Sequence, residues 1–549
     1  MTENGTKSIP IGINKMFVST PGLSITPDKL AEVINDPSKE RVEDTVGKIR
    51  AGLGVELIRL PGHSECNVTF VANPIYEFGK KMMDDPASKE KLFAEPIRSI
   101  YYSTESNDDW SRPDVQSALM LACSRLLDED EAKYRPFVDM LRSARQPQIT
   151  FACVGGVLAL HDAVTSVRYM SGNGSAGSSL VITADTAFYD SKRAPGAEAT
   201  QGAAATIMWV TRDPQLVEIF DKSGSFNIAV PDFTKYKKRT PYVHGKFSEI
   251  VYVHTVAKAL ENLEQQIQAS GNGMKSMLQS MDFFICHVPF PKQAIYFASF
   301  LFVHYIKNHR PELYNEIQAR SEIGREPLNL HPSLSELIEE RFRNFNKGNQ
   351  LHRNEREIIK HIEKDPEITA YWEWLKKVRN TKEFKGFVEQ LHINAALKIP
   401  SNVGNSYSSS VFVSLASLLH NAPQLNGHWK RQNNFGILAG YGSGAQAVTY
   451  PVSIIAVPER VGDHLDIMIE SNPAFELSPD GYRELHTAHI QEEIACPLGD
   501  SNDLVKMDMK MLRTDKLSKG FHIIRRNEDG TGEYVYSSDG KIDPVRIRF

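Results

Sequence analysis

Cysteine is scarce and scattered: Cys66, Cys123, Cys153, Cys286 and Cys496 are the five in 549 residues. An odd number of distant thiols suggests neither a disulfide framework nor a CxxC-type metal site, so the thiols are expected to be free. The Asn67-Val68-Thr69 sequon is accordingly expected to stay unglycosylated. Long apolar runs are missing as well. The longest, FASFLFVHYI at 297–306, is half a membrane span, and the opening MTENGTKSIPIGINKMF lacks a basic stretch followed by an apolar one. These two absences predict a cytoplasmic protein with no membrane contact. Positive charge is not in excess: the formal net charge is -5 and no long basic tract occurs, which argues against nucleic-acid partners. What is present is a 41% hydrophobic, 24% charged composition, that of a soluble globular chain long enough for two large core-bearing units.

Apolar, β-rich runs alternate with helical periods along the chain. SIYYSTES, QITFACVG, SSLVITADTAFYD and AAATIMWVT neighbour stretches such as RPDVQSALMLACSRLLDED, and the same texture returns in MDFFICHVPF, SSVFVSLASLLHNA and NNFGILAGYGSGAQAVTYPVSIIAV. This pattern predicts an α/β protein of two similar halves. Residues 307–400 form a charged, aromatic-spotted stretch whose spacing predicts a helical insertion of surface helices with little buried core. MSGNGSAGSS at 170–179 lacks the GK[ST] ending of a phosphate cradle, so a flexible hairpin is expected there.

Several residues sit where chemistry could be done. Cys153 ends a strand-like run and is followed by Gly155, Gly156 and a helical period, which places its thiol at a helix N-terminus, where dipole and free N–H groups favour a thiolate. A lone Cys among apolar residues is more often a small core residue. Glu105 ends the aromatic run YYSTES, where partial dehydration would raise its pKa to suit a general acid or base, although in isolation a capping or solvated Glu is the favoured reading. His287 follows an apolar strand, held between that strand and Pro289, with Lys292 a few residues on; alone it reads as a core histidine. Asn405 offers an amide in a turn, and the glycine turn Tyr441-Gly442-Ser443-Gly444 can bring backbone N–H groups to a ligand. His63 and Cys66 have metal-like spacing without a second ligand pair, and Cys286 should turn its side chain away from that of His287 and into the core. KYKKR at 235–239 is either a contact for phosphates or a solvated basic loop.

Taken in order, T-E-S, A-C-x-G-G, T-Q-G-A-A-A, H-x-P-F-x-K, G-N-x-Y-x-x-S and Y-G-S-G-A resemble the motifs of 3-hydroxy-3-methylglutaryl-CoA synthases, in the thiolase superfamily. The resemblance runs from GINKMFVSTPGLSI through AGLGVELIRLP and HGKFSEIVYVHTVAKAL to LSPDGYRELHTAH and GFHIIRRNEDGTGEYVY. It implies a thiolase-like fold, two βαβαβαββ halves in a five-layered α-β-α-β-α core, divided as 1–220 with Glu105 and Cys153 and 221–549 with His287, Asn405 and the insertion. It implies that Cys153 accepts an acetyl group from acetyl-CoA and that Glu105 removes a methyl proton and later protonates the alkoxide formed on acetoacetyl-CoA. His287 and Asn405 would hold the acetoacetyl oxygens, and Lys292 would stand near the CoA entrance. The amide of Cys153 and the turn from Tyr441 through Gly442 and Ser443 would form the oxyanion hole. No metal, flavin or nicotinamide cofactor is called for, and the products would be hydroxymethylglutaryl-CoA and CoA, as in mevalonate and isoprenoid formation. A homodimer and a thiolase as partner enzyme are further implications.

The pattern departs from the family at His244, where an acidic residue is usual, at Gly440, usually Ser, and at Val154, where an aromatic is common. These departures bear on the substrate more than on the reaction. They keep in view an acceptor held on an acyl carrier protein, the chemistry of β-branching relatives. A non-catalytic thiolase-fold scaffold that binds acyl-CoA is the reading from another class, and the retention of Cys, Glu and His together argues against it.

Overall fold

The computed structural model describes residues 9–108, 113–235, 240–269, 277–328, 333–345, 355–425, 429, 433–468, 475–491, 503–514, 516–526 and 531–548. Its centre is an eleven-stranded mixed sheet. In chain order we name nine of its strands β1 (Ile11–Ser19), β2 (Ile97–Ser103), β3 (Gln148–Ile149), β4 (Ser178–Ala187), β5 (Gly202–Arg212), β6 (Val217–Ile219), β7 (Phe283–Cys286), β8 (Asn434–Gly442) and β9 (Gln446–Ile454). Across the sheet they lie in the order β7-β8-β9-β6-β1-β5-β4-β2-β3. Read outward from the centre, β1-β5-β4-β2 and β6-β9-β8-β7 run in the same sequence, so the two halves of the chain build the same strand pattern twice.

The helices that bear on the site are α1 (Asn67–Asp84), α2 (Asp114–Glu129), α3 (Gly155–Gly172), α4 (Gly245–Ala269), α5 (Pro291–His309) and α6 (Ser410–Asn421). Strand alternation explains the layering, because successive side chains leave a strand on opposite faces. In β5, Ala203, Ala205, Ile207 and Trp209 join the core under α1 and α2, while Ala204, Met208 and Val210 face α3 and α6. In β7 and β8, Phe283, Ile285 and Leu438 face α3 and α6, whereas Phe284, Cys286, Ile437 and Ala439 face α4 and α5. Helices α3 and α6 therefore lie sandwiched between two sheet halves that are each covered outside, the five-layered thiolase-like arrangement. Almost every strand residue is buried, which is why these runs read as continuously apolar.

Two expectations change. Residues 170–179 are not a hairpin: α3 continues to Gly172, turns through Gly174 at φ +69° and enters β4 at Ser178. The 307–400 stretch is helical, but its helices are not mere surface cover. Leu337, Ile338, Ile362, Ile368, Tyr371 and Trp374 join one hydrophobic cluster with α4, α5, β7 and β8. Their apolar residues are spaced at helical period among many charges, so a low average hydrophobicity hides a continuous buried stripe.

Candidate active site

Cys153 sits between β3 and α3, two residues before the first residue of the helix. The preceding Ala152 has φ +41°, a left-handed conformation that non-glycine residues rarely adopt and that costs on the order of 1–3 kcal/mol. The turn so made leaves Cys153 facing a cavity of about 280 Å³. The end of β8 closes in behind it: a Cβ on Gly442 would lie 2.6 Å from the backbone N of Val154, so only glycine permits that approach. Gly440, one of the departures, meets Val157 in the same way, with its hypothetical Cβ 2.6 Å from Cγ2.

The cavity brings together Cys153, His287, Asn405, Tyr441 and Ser443, residues drawn from the β3–α3 turn, the β7–α5 turn, the segment before α6 and the end of β8. Glu105 reaches the thiol from an adjoining cavity of about 410 Å³, and the Cys153 Sγ donates to its Oε2 at 3.2 Å. Burial, and then the negative charge of Glu105, push the Cys153 thiol well above the ordinary cysteine value. The expectation that the helix N-terminus keeps a resting thiolate is thereby corrected: dehydration and a carboxylate in contact outweigh the dipole. Lys292 occupies the first turn of α5 beside Gly54 and does not line the cavity.

His287 is buried between Tyr252 and Tyr441, the latter ring stacked on it at 6.2 Å, and burial lowers its pKa to about 3. It is a neutral imidazole at neutral pH. Ser410 Oγ accepts from Val288 N–H at 3.3 Å and is also bonded to His287 Nδ1, so one ring nitrogen is engaged by the protein and Nε2 is the nitrogen left for a ligand. Asn405 gives one Nδ2 hydrogen to the Tyr189 hydroxyl at 3.0 Å, accepts from Tyr407 N–H at 3.0 Å through Oδ1, and retains a second N–H.

Three charged residues complete the site, none of them singled out for this role by the motifs. Lys235 turns inward: its Nζ lies 3.2 Å from Glu105 Oε1 and 3.0 Å from the Glu105 carbonyl oxygen, and 4.7 Å above the Tyr407 ring. The role offered for KYKKR as a phosphate contact thus fails at Lys235, and 236–239 lie outside the described residues. Asp185, fully buried, accepts from Thr104 Oγ1 at 2.9 Å, Glu105 N at 2.7 Å, Ser106 N at 3.0 Å and Ser408 N at 2.9 Å, fastening the Glu105 turn to the segment before α6. Burial and then Glu105 push it up to about 6. Asp232, also fully buried, accepts from the Tyr441 hydroxyl at 3.0 Å, Gly444 N at 2.9 Å and Ser248 Oγ at 3.0 Å. His244 donates its backbone N–H to the Asp232 carbonyl at 3.0 Å, so a carboxylate from another segment stands close to the position where the acidic residue was missed. The only sequence signal for Asp185 and Asp232 is an acid inside an apolar run, in TADTAFY and VPDF.

His63 donates its backbone N–H to Asp508 at 2.8 Å, and Cys66 stands at the N-cap of α1. Cys286 is buried among α4 and α5 side chains, as strand alternation requires. Cys66, Cys123, Cys153 and Cys286 are free thiols, while Cys496 lies outside the described residues. Among the described residues no helix is long and apolar enough to cross a membrane.

A thiolase-like scaffold that gathers Cys, His and Asn from both halves at one cavity, with Glu in contact with the thiol from the adjoining one, has the form of an acyl-transferring, carbon–carbon condensing enzyme. A family model for the hydroxymethylglutaryl-coenzyme A synthase C terminal matches residues 220–356 and 349–495, and the chain belongs to the hydroxymethylglutaryl-CoA synthase family. It is 29% identical over 447 residues to the hydroxymethylglutaryl-CoA synthase of Haloferax volcanii, covering 81% of this chain and 86% of the relative. It is 24% identical to that of Saccharomyces cerevisiae over 455 residues, 79% of this chain and 75% of the relative. Among solved structures, MvaS in complex with 3-hydroxy-3-methylglutaryl coenzyme A superposes with a TM-score of 0.62 at 18% identity, covering 97% of this chain and all (100%) of that one. The curacin biosynthetic pathway HMG synthase in complex with acetyl donor-ACP superposes with a TM-score of 0.61 at 14% identity, covering 96% and 100%. The chain is thus a condensing enzyme of the hydroxymethylglutaryl-CoA synthase type, an acyltransferase.

Proposed function

We propose that this chain condenses acetyl-CoA with acetoacetyl-CoA through an acetyl-cysteine on Cys153, releasing 3-hydroxy-3-methylglutaryl-CoA and free CoA. The observation that carries the reading is the 3.2 Å contact from Cys153 Sγ to Glu105 Oε2 at a cavity shared with His287 and Asn405. As Sγ attacks the acetyl thioester carbonyl, its proton passes to Glu105 and then to the departing CoA sulfur. Glu105, again a carboxylate, removes a proton from the methyl of the acetyl-enzyme. The resulting carbanion attacks the ketone of acetoacetyl-CoA, and the proton held on Glu105 neutralises the alkoxide. Water then cleaves the enzyme thioester.

We assign the hydrogen of neutral His287 to Nε2, with Nδ1 on Ser410, so that it donates to the acetoacetyl thioester oxygen, and the second Asn405 N–H supports the same substrate. A neutral donor suits this task because it does not give its proton away. Gly444 has its N–H on Asp232, so the amides of Cys153 and Ser443 are the donors we assign to the thioester oxyanion. Lys235 neutralises one oxygen of Glu105 and leaves the other for proton transfer. We also infer a homodimer, with β3 at the sheet edge as the natural place for the partner strand.

Intact-protein mass spectrometry with acetyl-CoA alone, then with acetoacetyl-CoA or an acetoacetyl carrier protein, tests the reading. An adduct of about 42 Da, an acetyl replacing a proton, should form on Cys153 and discharge with acetoacetyl-CoA. Discharge by the carrier protein alone would move the acceptor to that carrier, and no adduct would refute covalent catalysis.

A further inference from the structure

Gln293, in the first turn of α5, is 1% exposed and lines the Cys153 cavity, yet neither its Nε2 nor its Oε1 meets a hydrogen-bond partner among the described residues. Its backbone is accounted for, since Gln293 N–H donates to Phe290 O at 3.0 Å. A buried carboxamide with both ends unpaired works against stability, and such residues are kept where a ligand completes them. Glu249, the fifth residue of α4, lines the same cavity. Burial pushes its carboxyl up to about 7, against the opposing charges of Arg379 and Lys246, so near neutrality it presents a donor hydrogen for much of the time.

The cavity is a channel. Exposed Pro195, Gly196 and Gly245 line it together with buried Cys153 and His287, so the route from solvent to the thiol runs along this wall. A thioester whose carbonyl reaches Cys153 must lay its carrier arm in that channel. The pantetheine arm, common to CoA and to carrier proteins, carries secondary amides, each with one N–H and one C=O, the complement of a carboxamide.

Resting on the thioester reading above, we propose that Gln293, with Glu249 beside the same channel, hydrogen-bonds an amide of the substrate's pantetheine arm and makes the site selective for amide-bearing thioesters. The contact falls on the arm and not on the nucleotide, so it serves CoA and carrier-bound substrates alike. Gln293→Leu keeps the volume and removes both polar ends.

The test compares acetylation of wild type and Gln293→Leu by acetyl-CoA, S-acetyl-pantetheine and S-ethyl thioacetate, with CoA affinity measured separately by calorimetry. The rate ratio of S-acetyl-pantetheine to S-ethyl thioacetate should fall about tenfold or more in the variant. CoA should bind about tenfold more weakly, and the Tm of the ligand-free variant should be equal to or above that of wild type. An equal fall with all three thioesters, a loss confined to acetyl-CoA, or unchanged CoA affinity would overturn the proposal. If wild type forms no acetyl-enzyme, the functional reading fails, and the calorimetry still judges the contact at Gln293. Where an acetyl carrier protein also acylates wild type, the variant's loss with it should match that with acetyl-CoA.

Discussion

At the scale of the residue, the thiol of Cys153 is held protonated by burial and by the carboxylate it touches, so Glu105 both hinders and assists it. Glu105→Gln removes the acceptor of the thiol proton and, with it, the charge that raises the thiol. These effects oppose each other in the first step. The condensation step has no such compensation, because the methyl proton has no other base. We expect acetyl-enzyme to form within about tenfold of the wild-type rate while condensation falls by about 10²–10⁴-fold, measured by quenched-flow mass spectrometry and product assay. His287 supplies a test of a different kind. Its pKa of about 3 lies far below that of an unfolded histidine, so folding excludes a proton that the unfolded chain takes up below about pH 6.5. The stability it confers is therefore complete above pH 6.5 and is lost as pH falls toward 3. Between pH 7.5 and 5.5, His287→Gln should lose about 1.4 kcal/mol less unfolding free energy than wild type, read by urea titration at the two values. Cys153, His287 and Asn405 were legible in the sequence because each sits in a short string beside glycine or proline, and Glu105 because it ends an aromatic strand-like run. Lys235, Asp185 and Asp232 were not, since a charge gains its meaning from what it faces, and their partners lie up to 223 residues away, as Ser408 does from Asp185.

At the scale of the element, the position of the nucleophile depends on how closely the end of β8 approaches the turn before α3. Gly442→Ala would place a methyl 2.6 Å from the Val154 nitrogen, nearer than real contacts allow, and backbone cannot rotate away as a side chain can. The Cys153 turn or the strand must move. A loss of about 1–3 kcal/mol in stability is expected. The acetylation rate should fall more steeply than that suggests, by about 10² for a displacement near 1 Å, with the variant still folded by circular dichroism. Strand identities were readable from the apolar runs, and the helix after Cys153 from its period. The 170–179 stretch misled because its glycines and serines suit a hairpin as well as the last turn of a helix; what decides is that α3 buries Val164 and Val167 against the sheet and so runs on to Gly172.

At the scale of the whole molecule, the repeated strand order makes one sheet from two halves, and the catalytic candidates come from both. The insertion was legible as helices from its period, but not its share of the core, because more than half its residues are polar and the buried stripe is visible only once helices lie side by side. That shared core gives the insertion a bearing on the site. Trp374 is 4% exposed, lies 5.6 Å from Tyr371 and donates its indole N–H to Gly324 O at 2.9 Å. It belongs to the cluster that contains Tyr252, Val288 and Phe297, and Tyr252 in turn donates to the carbonyl oxygen of His287 at 2.8 Å. Were the insertion a separate appendage, Trp374→Ala would unfold it alone and leave the remainder intact. One continuous core predicts otherwise: a loss of about 3–5 kcal/mol expressed as a shift of the main transition. Condensation should then weaken with temperature in step with that transition, because loosening the cluster frees the His287 backbone from Tyr252. Calorimetry of wild type and variant decides the matter, since a new low-temperature transition beside an unshifted main one would show that the insertion folds apart from the core.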